Sequence, residues 1–90
     1  MTVSKELTIC NKMGMHARPA AQFVKRASKY KCDVWVEKDD EPVNGKSIMG
    51  LMMLAAGRGE IIKLTTDGSD AEAAMADLEE LIRTGFGDSE

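Results

Sequence analysis

Alternating hydrophobic and polar residues at the start of the chain predict a half-buried β-strand. Over residues 2–10, Val3, Lys5, Leu7 and Ile9 fall on one side and mostly polar residues on the other. The period then lengthens to that of an amphipathic helix, whose apolar stripe is Ala17, Ala20, Ala21, Val24 and Ala27. The chain therefore begins with a strand followed by a helix of about three turns.

Three further strands are predicted from shorter β-branched stretches. The second strand contains Cys32, Val34 and Val36, and the third covers residues 41–43 after a turn at 38–40. Pro42 has no N–H to donate, so we expect the third strand at a sheet edge. Residues 61–66 predict the fourth strand.

Two more helices complete the pattern. Ser47 is a potential N-cap for a short helix within residues 47–56, which residues 57–59 would end. The last helix carries a clear apolar stripe, namely Ala71, Ala74, Met75, Leu78, Leu81 and Ile82. Ser69 or Asp70 can cap its start and Gly85 its end, and residues 87–90 should fray. The order β-α-β-β-α-β-α predicts an α+β fold: an open-faced α/β sandwich with a four-stranded antiparallel sheet and three helices on one face.

Composition narrows the function classes. A chain of 90 residues predicts one domain over residues 1–90, and a net charge of −3 argues against a nucleic-acid partner. No stretch is long and apolar enough for membrane insertion, and the first ten residues lack a signal-peptide pattern, so we expect a cytoplasmic monomer. Cys10 and Cys32 have neither metal-ligand nor redox spacing. We therefore predict no metal and no cofactor, with both cysteines as small hydrophobic residues on strands.

The single histidine, His16, lies where the helical pattern begins, in the stretch GMHARPA. Gly14 permits a sharp entry, and Pro19 sits in the first turn, where its missing N–H costs nothing. A helix N-terminus disfavours a cation and favours an anion, and Arg18 adds a guanidinium. The setting predicts a neutral, nucleophilic imidazole that suits a transient phosphohistidine.

A simpler interpretation makes His16 only a polar helix cap. The chain contains no second histidine and no GxxxxGK[ST] nucleotide loop. An independent hydrolase or transferase with His16 as general base is disfavoured, because neither a partner nucleophile nor an orienting carboxylate is evident. If phosphate reaches His16, another protein must bring it and another must remove it.

The second informative stretch is NGKSIMGLMML, residues 44–54, which is apolar around most of a short helix. Ile48, Met49 and Met52 can either fill the core or form a surface that docks differently shaped partners. Ser47 is either a structural N-cap or a phosphorylation site whose charge would block an apolar partner without unfolding the domain.

Together, GMHARPAAQFVKRASKY and KSIMGLMML, with this length and element order, resemble the HPr family of phosphocarriers of the bacterial phosphotransferase system. The resemblance covers Thr2 to Phe86. It implies that His16 accepts a phosphoryl group on Nδ1 from phosphorylated Enzyme I and passes it to a histidine of an enzyme IIA domain. It also implies that Arg18 and the backbone amides of Ala17 and Arg18 hold the phosphate.

The resemblance further implies that Ile48, Met49 and Met52 dock partners, and we add Met15 and Ala21 to this partner-docking set. Ser47 matches the regulatory serine of carriers that are served by an HPr kinase/phosphorylase and read by a transcriptional regulator. KSIMG resembles such serine-regulated carriers, whereas NKMGMHARPA, the LMML run and the closing GF with acidic residues resemble the nitrogen-related branch. A nitrogen-branch carrier and a regulatory docking module with a mainly signalling role are therefore the alternatives.

Overall fold

Four strands and three α-helices follow one another in the predicted order in the computed structural model, which describes residues 1–87. The elements are β1 (Thr2–Thr8), α1 (Ala17–Ala27), β2 (Asp33–Lys38), β3 (Glu41–Asn44), α2 (Ile48–Leu54), β4 (Ile61–Asp67) and α3 (Ala71–Arg83), followed by a short 3-10 turn at Gly85–Gly87. Of the predicted fraying tail, residues 87–90, only Gly87 is among the described residues.

The four strands form one antiparallel sheet in the order β1-β4-β2-β3. Leu7 pairs with Ile62, and Leu64 pairs with Val36, so the apolar positions of neighbouring strands coincide on one face. The edge position of β3 is confirmed, and Pro42 lies in it opposite Glu37.

All three helices cover one face of the sheet, which confirms the open-faced sandwich. The core between the layers includes five side chains with no exposed surface, namely Phe23, Val36, Leu51, Leu64 and Leu78. On the uncovered face lies Trp35, which neighbours Thr65 and Asn44 and is 44% exposed. None of the helices within residues 1–87 combines the length and apolar character that crossing a membrane requires.

The first helix has a slightly different buried face from the predicted one. Pro19, Ala20, Phe23 and Ala27 are buried, whereas Ala17 and Ala21 are exposed. The large Phe23 ring turns the helix toward the core, because burying an aromatic ring removes much more apolar area from water than burying a methyl group. In α3, by contrast, all six predicted stripe residues are buried.

Helix ends also differ in detail from the sequence prediction. α2 stops at Leu54, because Ala55 adopts a left-handed conformation with φ 52°. Asp70 occupies the N-cap of α3 but makes no side-chain cap bond. Its carboxylate instead accepts hydrogen bonds from the N–H groups of Lys31 (2.8 Å) and Cys32 (2.9 Å) and so ties α3 to the start of β2.

The prediction of two cysteines on strands is wrong, because both lie just outside the strand ends. β1 ends at Thr8 and the chain leaves the sheet, where Ile9 exchanges backbone hydrogen bonds with Glu60 and Gly59. Cys10 is consequently exposed, and its Sγ donates to the carbonyl of Ile82 at 3.3 Å. Cys32 is buried and directly precedes β2, and burial is the main reason that the pKa of its thiol is raised.

Candidate functional site

His16 is the N-cap residue of α1, as the sequence predicts. Its backbone is extended (φ −95°, ψ −167°), and its carbonyl accepts the first helical hydrogen bond, from Ala20 N–H at 2.9 Å. The imidazole makes no cap hydrogen bond to the helix, and the residue is partly exposed. The ring is therefore placed at the helix end without being used to stabilise it, which favours a chemical role over a capping role.

The first turn of α1 is suited to an anion beside the imidazole. The first four N–H groups of an α-helix have no acceptor within the helix, and Ala17 and Arg18 provide those nearest His16 along the chain. Pro19 provides none. The first turn contains no acidic residue that would compete for these donors, and Lys25 and Arg26 lie in the last turn. This arrangement stabilises negative charge at the helix start.

The loop before His16 is held by both backbone and side-chain contacts. Asn11, which is only 3% exposed, donates from Nδ2 to the Gly14 carbonyl at 2.8 Å. Met15 N–H donates to the Ala56 carbonyl at 2.9 Å, and His16 N–H donates to the Gly14 carbonyl at 3.0 Å. The approach to His16 is thus fixed to the segment that follows α2.

Gly14 is required at this contact for two reasons. Its φ is 69°, in the left-handed region, and a Cβ there would lie 2.5 Å from the Ala56 carbonyl oxygen and 2.8 Å from the Gly57 Cα. Both neighbouring atoms belong to the backbone, so a side chain could enter only by separating the two segments. The sequence predicts this glycine from the sharp entry, but not its partner segment.

Ser47 is the N-cap of α2, and its side chain accepts a hydrogen bond from Gly50 N–H at 3.0 Å. The cap predicted from the sequence is therefore present. Ser47 itself is partly exposed. Since α2 has seven residues, Ser47 lies about 10 Å along the helix from the end that contacts the His16 loop.

An apolar surface lies on the outer side of α2, and we call it the α2 patch. It consists of Ile48, Met49, Met52 and Met53, which line one shallow depression, while Leu51 and Leu54 are buried beneath it. Met49 is 74% exposed and Met53 is 77% exposed. Ile48, Met49 and Met52 are thus exposed, as a docking role requires. Met53 was missed, although its i,i+4 relation to Met49 places both on one helix face.

Met15 and Ala21, the other two residues assigned to docking, differ in their exposure to solvent. Ala21 is exposed on α1. Met15 is 4% exposed and belongs to the core, because its backbone is bonded to Ala56 and its side chain turns inward. The assignment of Met15 to the docking surface is therefore corrected, and Met15 supports the loop from below.

The segment after α2 is held by Glu60, a carboxyl group whose pKa is shifted. Glu60 Oε1 accepts from Gly57 N–H at 2.5 Å, and Glu60 Oε2 lies 3.2 Å from Lys38 Nζ. The Gly57 hydrogen bond first, and Lys38 second, lower the pKa of the Glu60 carboxyl. Within residues 1–87, no group of three or more His, Cys, Asp or Glu side chains is placed to hold a metal ion.

Comparison with known proteins gives consistent matches over nearly the whole chain. A family model described as "PTS HPr component phosphorylation site" matches residues 3–84. The phosphocarrier protein HPr of Neisseria meningitidis serogroup A is 51% identical over 88 residues, which cover 98% of this chain and 99% of that protein. The HPr-like protein Crh of Halalkalibacterium halodurans is 47% identical over 84% of this chain and 90% of its own.

Solved structures agree with these matches. HPr-C-His from Thermoanaerobacter tengcongensis has a TM-score of 0.94 and 46% identity, and the alignment covers 98% of this chain and 99% of that one. An HPr dimer from the same organism matches at a TM-score of 0.77 with 50% identity, over 93% of this chain and 99% of that one. The dimer weakens the expectation of a monomer, which stays a prediction. From the family model and these relatives, the chain belongs to the HPr family of phosphocarriers of the phosphotransferase system.

Proposed function

We propose that this chain carries a phosphoryl group on His16 from phosphorylated Enzyme I to a histidine of an enzyme IIA domain. The observation that supports this most directly is the position of His16, whose imidazole makes no cap hydrogen bond at the start of a helix whose first turn holds no acid. The proposed place of action is the cytoplasm, where both partners would be met.

The transfer needs a neutral imidazole and a place for three phosphoryl oxygens. Nδ1 of His16 attacks phosphorus, a P–N bond forms, and the bond that joined phosphorus to Enzyme I breaks. The proton on Nε2 stays in place, so no general base is required. In the onward step, the histidine of enzyme IIA attacks the same phosphorus, and the P–N bond to His16 breaks. Because both steps exchange one phosphoryl bond for another, the carrier needs no nucleotide.

Ala17 and Arg18 provide the backbone donors for the transferred group, and the Arg18 guanidinium adds a positive charge. These groups interact more strongly with the phosphoryl group, whose charge lies on its oxygens, than with the neutral ring. Arg18 is exposed on the first turn of α1, within reach of incoming partners. Its removal is expected to slow transfer and to leave the fold largely intact.

Partner docking is assigned to the α2 patch together with Ala21. α1 and α2 pack against each other, so their exposed surfaces adjoin. Methionine side chains adapt to different shapes, which suits a carrier that must fit a donor and an acceptor in turn. Ser47 caps the same helix, and its phosphorylation would add roughly 1.5 to 2 negative charges beside the patch. We assign Ser47 a regulatory role on this basis.

The test is phosphorylation by Enzyme I and labelled phosphoenolpyruvate. The native chain should gain an acid-labile label, and His16→Ala should gain none while its unfolding free energy stays within about 1 kcal/mol, because the imidazole makes no cap bond. Arg18→Ala should slow labelling, whereas Lys25→Ala, which removes a cation from the last turn of the same helix, should not. An unlabelled native chain beside a competent Enzyme I would refute the proposal.

A regulatory docking module is the second candidate, and one observation favours it. The α2 patch and the Ser47 cap lie on the same short helix, so a charge at Ser47 has an apolar surface to act upon. This role does not require transfer through His16. Docking that persists in His16→Ala and responds to a charge at Ser47 would support it.

A further inference from the structure

Lys38 and Glu60 form a clamp around the end of α2. Lys38 Nζ donates to the carbonyls of Leu54 at 3.3 Å and Ala55 at 3.2 Å and also lies 3.2 Å from Glu60 Oε2. Only 17% of the Lys38 side chain is exposed, so the ammonium is largely committed to these acceptors. A cation at a helix C-terminus also interacts favourably with the helix dipole.

The second half of the clamp holds the residues that follow the helix. Glu60 Oε1 accepts from Gly57 N–H at 2.5 Å, while its other carboxylate oxygen meets Lys38. Glu60 N–H also donates to the Gly57 carbonyl at 3.0 Å. The segment 54–57 is thus fixed by Lys38, at the end of β2, and by Glu60, the residue before β4.

This clamped segment is the one that supports the His16 loop. Ala56, between the clamped residues, accepts from Met15 N–H at 2.9 Å, and Gly14 packs so closely on Ala56 and Gly57 that no Cβ fits. Met15 directly precedes His16. The chain of contacts runs from Lys38 and Glu60 through the 54–57 backbone to the residue before the imidazole, with no flexible side chain between the clamp and the loop.

We propose that Lys38 and Glu60 are positioning residues for phosphoryl transfer, which keep His16 aligned with the α2 patch. The inference rests on the proposed function, because a partner seated on the patch must find the imidazole at a fixed place. Neither residue needs to touch the phosphate. A misplacement of the reacting group lowers the transfer rate even when docking is unchanged.

Lys5 and Glu79 form an ion pair between other elements that can serve as a control. Lys5 Nζ and Glu79 Oε1 are 2.7 Å apart and join β1 to α3, away from the 54–57 segment. Lys5→Met therefore removes an ion pair elsewhere in the fold without touching the clamp, and Glu79 keeps Arg83 as its other partner. A variant that acted only through overall stability would resemble this control.

The first measurement is hydrogen exchange of backbone amides, which does not depend on any transfer activity. In Lys38→Met the Met15 amide should exchange severalfold faster than in the native chain, while Leu64, in the middle of the sheet, should keep its rate. Lys5→Met should leave Met15 unchanged. Equal exchange rates of the Met15 amide in the native chain and in Lys38→Met would overturn the proposed link between the clamp and the His16 loop. This outcome is independent of whether the chain carries a phosphoryl group.

The second measurement is transfer from Enzyme I to the chain. Lys38→Met should lower kcat by about tenfold with little change in KM. Lys38→Arg, which retains a cationic donor, should recover most of the rate. Glu60→Gln, which loses the ion pair, should have a kcat between those of Lys38→Met and the native chain. A native kcat in Lys38→Met would overturn the positioning role, and so would an equal decrease in kcat in Lys5→Met. Absence of transfer in the native chain would instead refute the proposed function.

Discussion

At the scale of single residues, the candidate site separates the proposed phosphoryl acceptor from the residues that support it. The His16 side chain makes no cap hydrogen bond to α1, whereas Gly14 and Met15 beside it are committed to the Ala56 segment. Asn11 adds a side-chain bond across the same loop. Under the proposed function, the His16 imidazole can therefore accept a phosphoryl group without losing a cap hydrogen bond, while its neighbours keep it in place.

A residue-scale prediction concerns Ser47. Ser47→Asp should still fold, since aspartate is a good N-cap, but its charge beside the α2 patch should weaken Enzyme I binding by about 1 kcal/mol, roughly fivefold in Kd. Calorimetric titration measures the effect. Ser47→Ala, which loses the cap without adding charge, and Ser28→Asp, with its charge at the exposed C-cap of α1, are the controls. Equal Kd values for Ser47→Asp and native protein would count against a regulatory role.

At the scale of elements, the sequence predicts what periodicity encodes and misses what depends on distant contacts. The α3 stripe and the Ser47 cap are local patterns, and both are confirmed. The inward turn of Met15 and the exposure of Cys10 depend on where the chain leaves the sheet and meets residues 56–60. No local pattern carries that information, so the sequence predicts the helix start at His16 but not the segment that supports it.

An element-scale prediction follows from the carboxylate that ties α3 to β2. Hydrogen bonds from Lys31 N–H first, and from Cys32 N–H, hold the pKa of Asp70 below its ordinary value of 3.8. A depressed folded-state pKa contributes stability above 3.8 that disappears as the pH falls through the lower folded value. Asp70→Asn should therefore be less stable than the native chain at pH 7, with the difference shrinking below pH 4.

Urea denaturation at a series of pH values measures this difference. Asp33→Asn, at an exposed position on β2, is the control and should show a smaller difference at pH 7. A gap between Asp70→Asn and the native chain that stays constant down to pH 2 would contradict the assignment.

At the scale of the whole molecule, one layer of helices carries every residue assigned to transfer and docking, and the opposite sheet face carries none. The arrangement leaves β1 and β3 as the two edges of the sheet. β3 has only four residues and includes Pro42, while β1 has Lys5 and Glu6 in its middle. Short, proline-containing or charged edges resist pairing with another copy.

These edges support the prediction of a monomer. Light scattering after size exclusion should give a mass near the chain's 9.8 kDa across the micromolar range. A Lys5→Val, Glu6→Thr variant, which removes the charges from the β1 edge, should dimerise more readily. Twice the chain mass for the native protein at low concentration would show that this chain shares the dimeric state of the Thermoanaerobacter tengcongensis HPr structure.

The single tryptophan has a practical consequence. Trp35 lies half in solvent on the uncovered sheet face, whereas the α2 patch lies on the opposite side of the sheet, in the helical layer. Its fluorescence should shift when the sheet comes apart and stay constant when a partner seats on the helices. Trp35 should therefore serve as an optical probe of unfolding that does not respond to docking on the helices, so an emission spectrum should distinguish a variant that fails to bind from one that fails to fold.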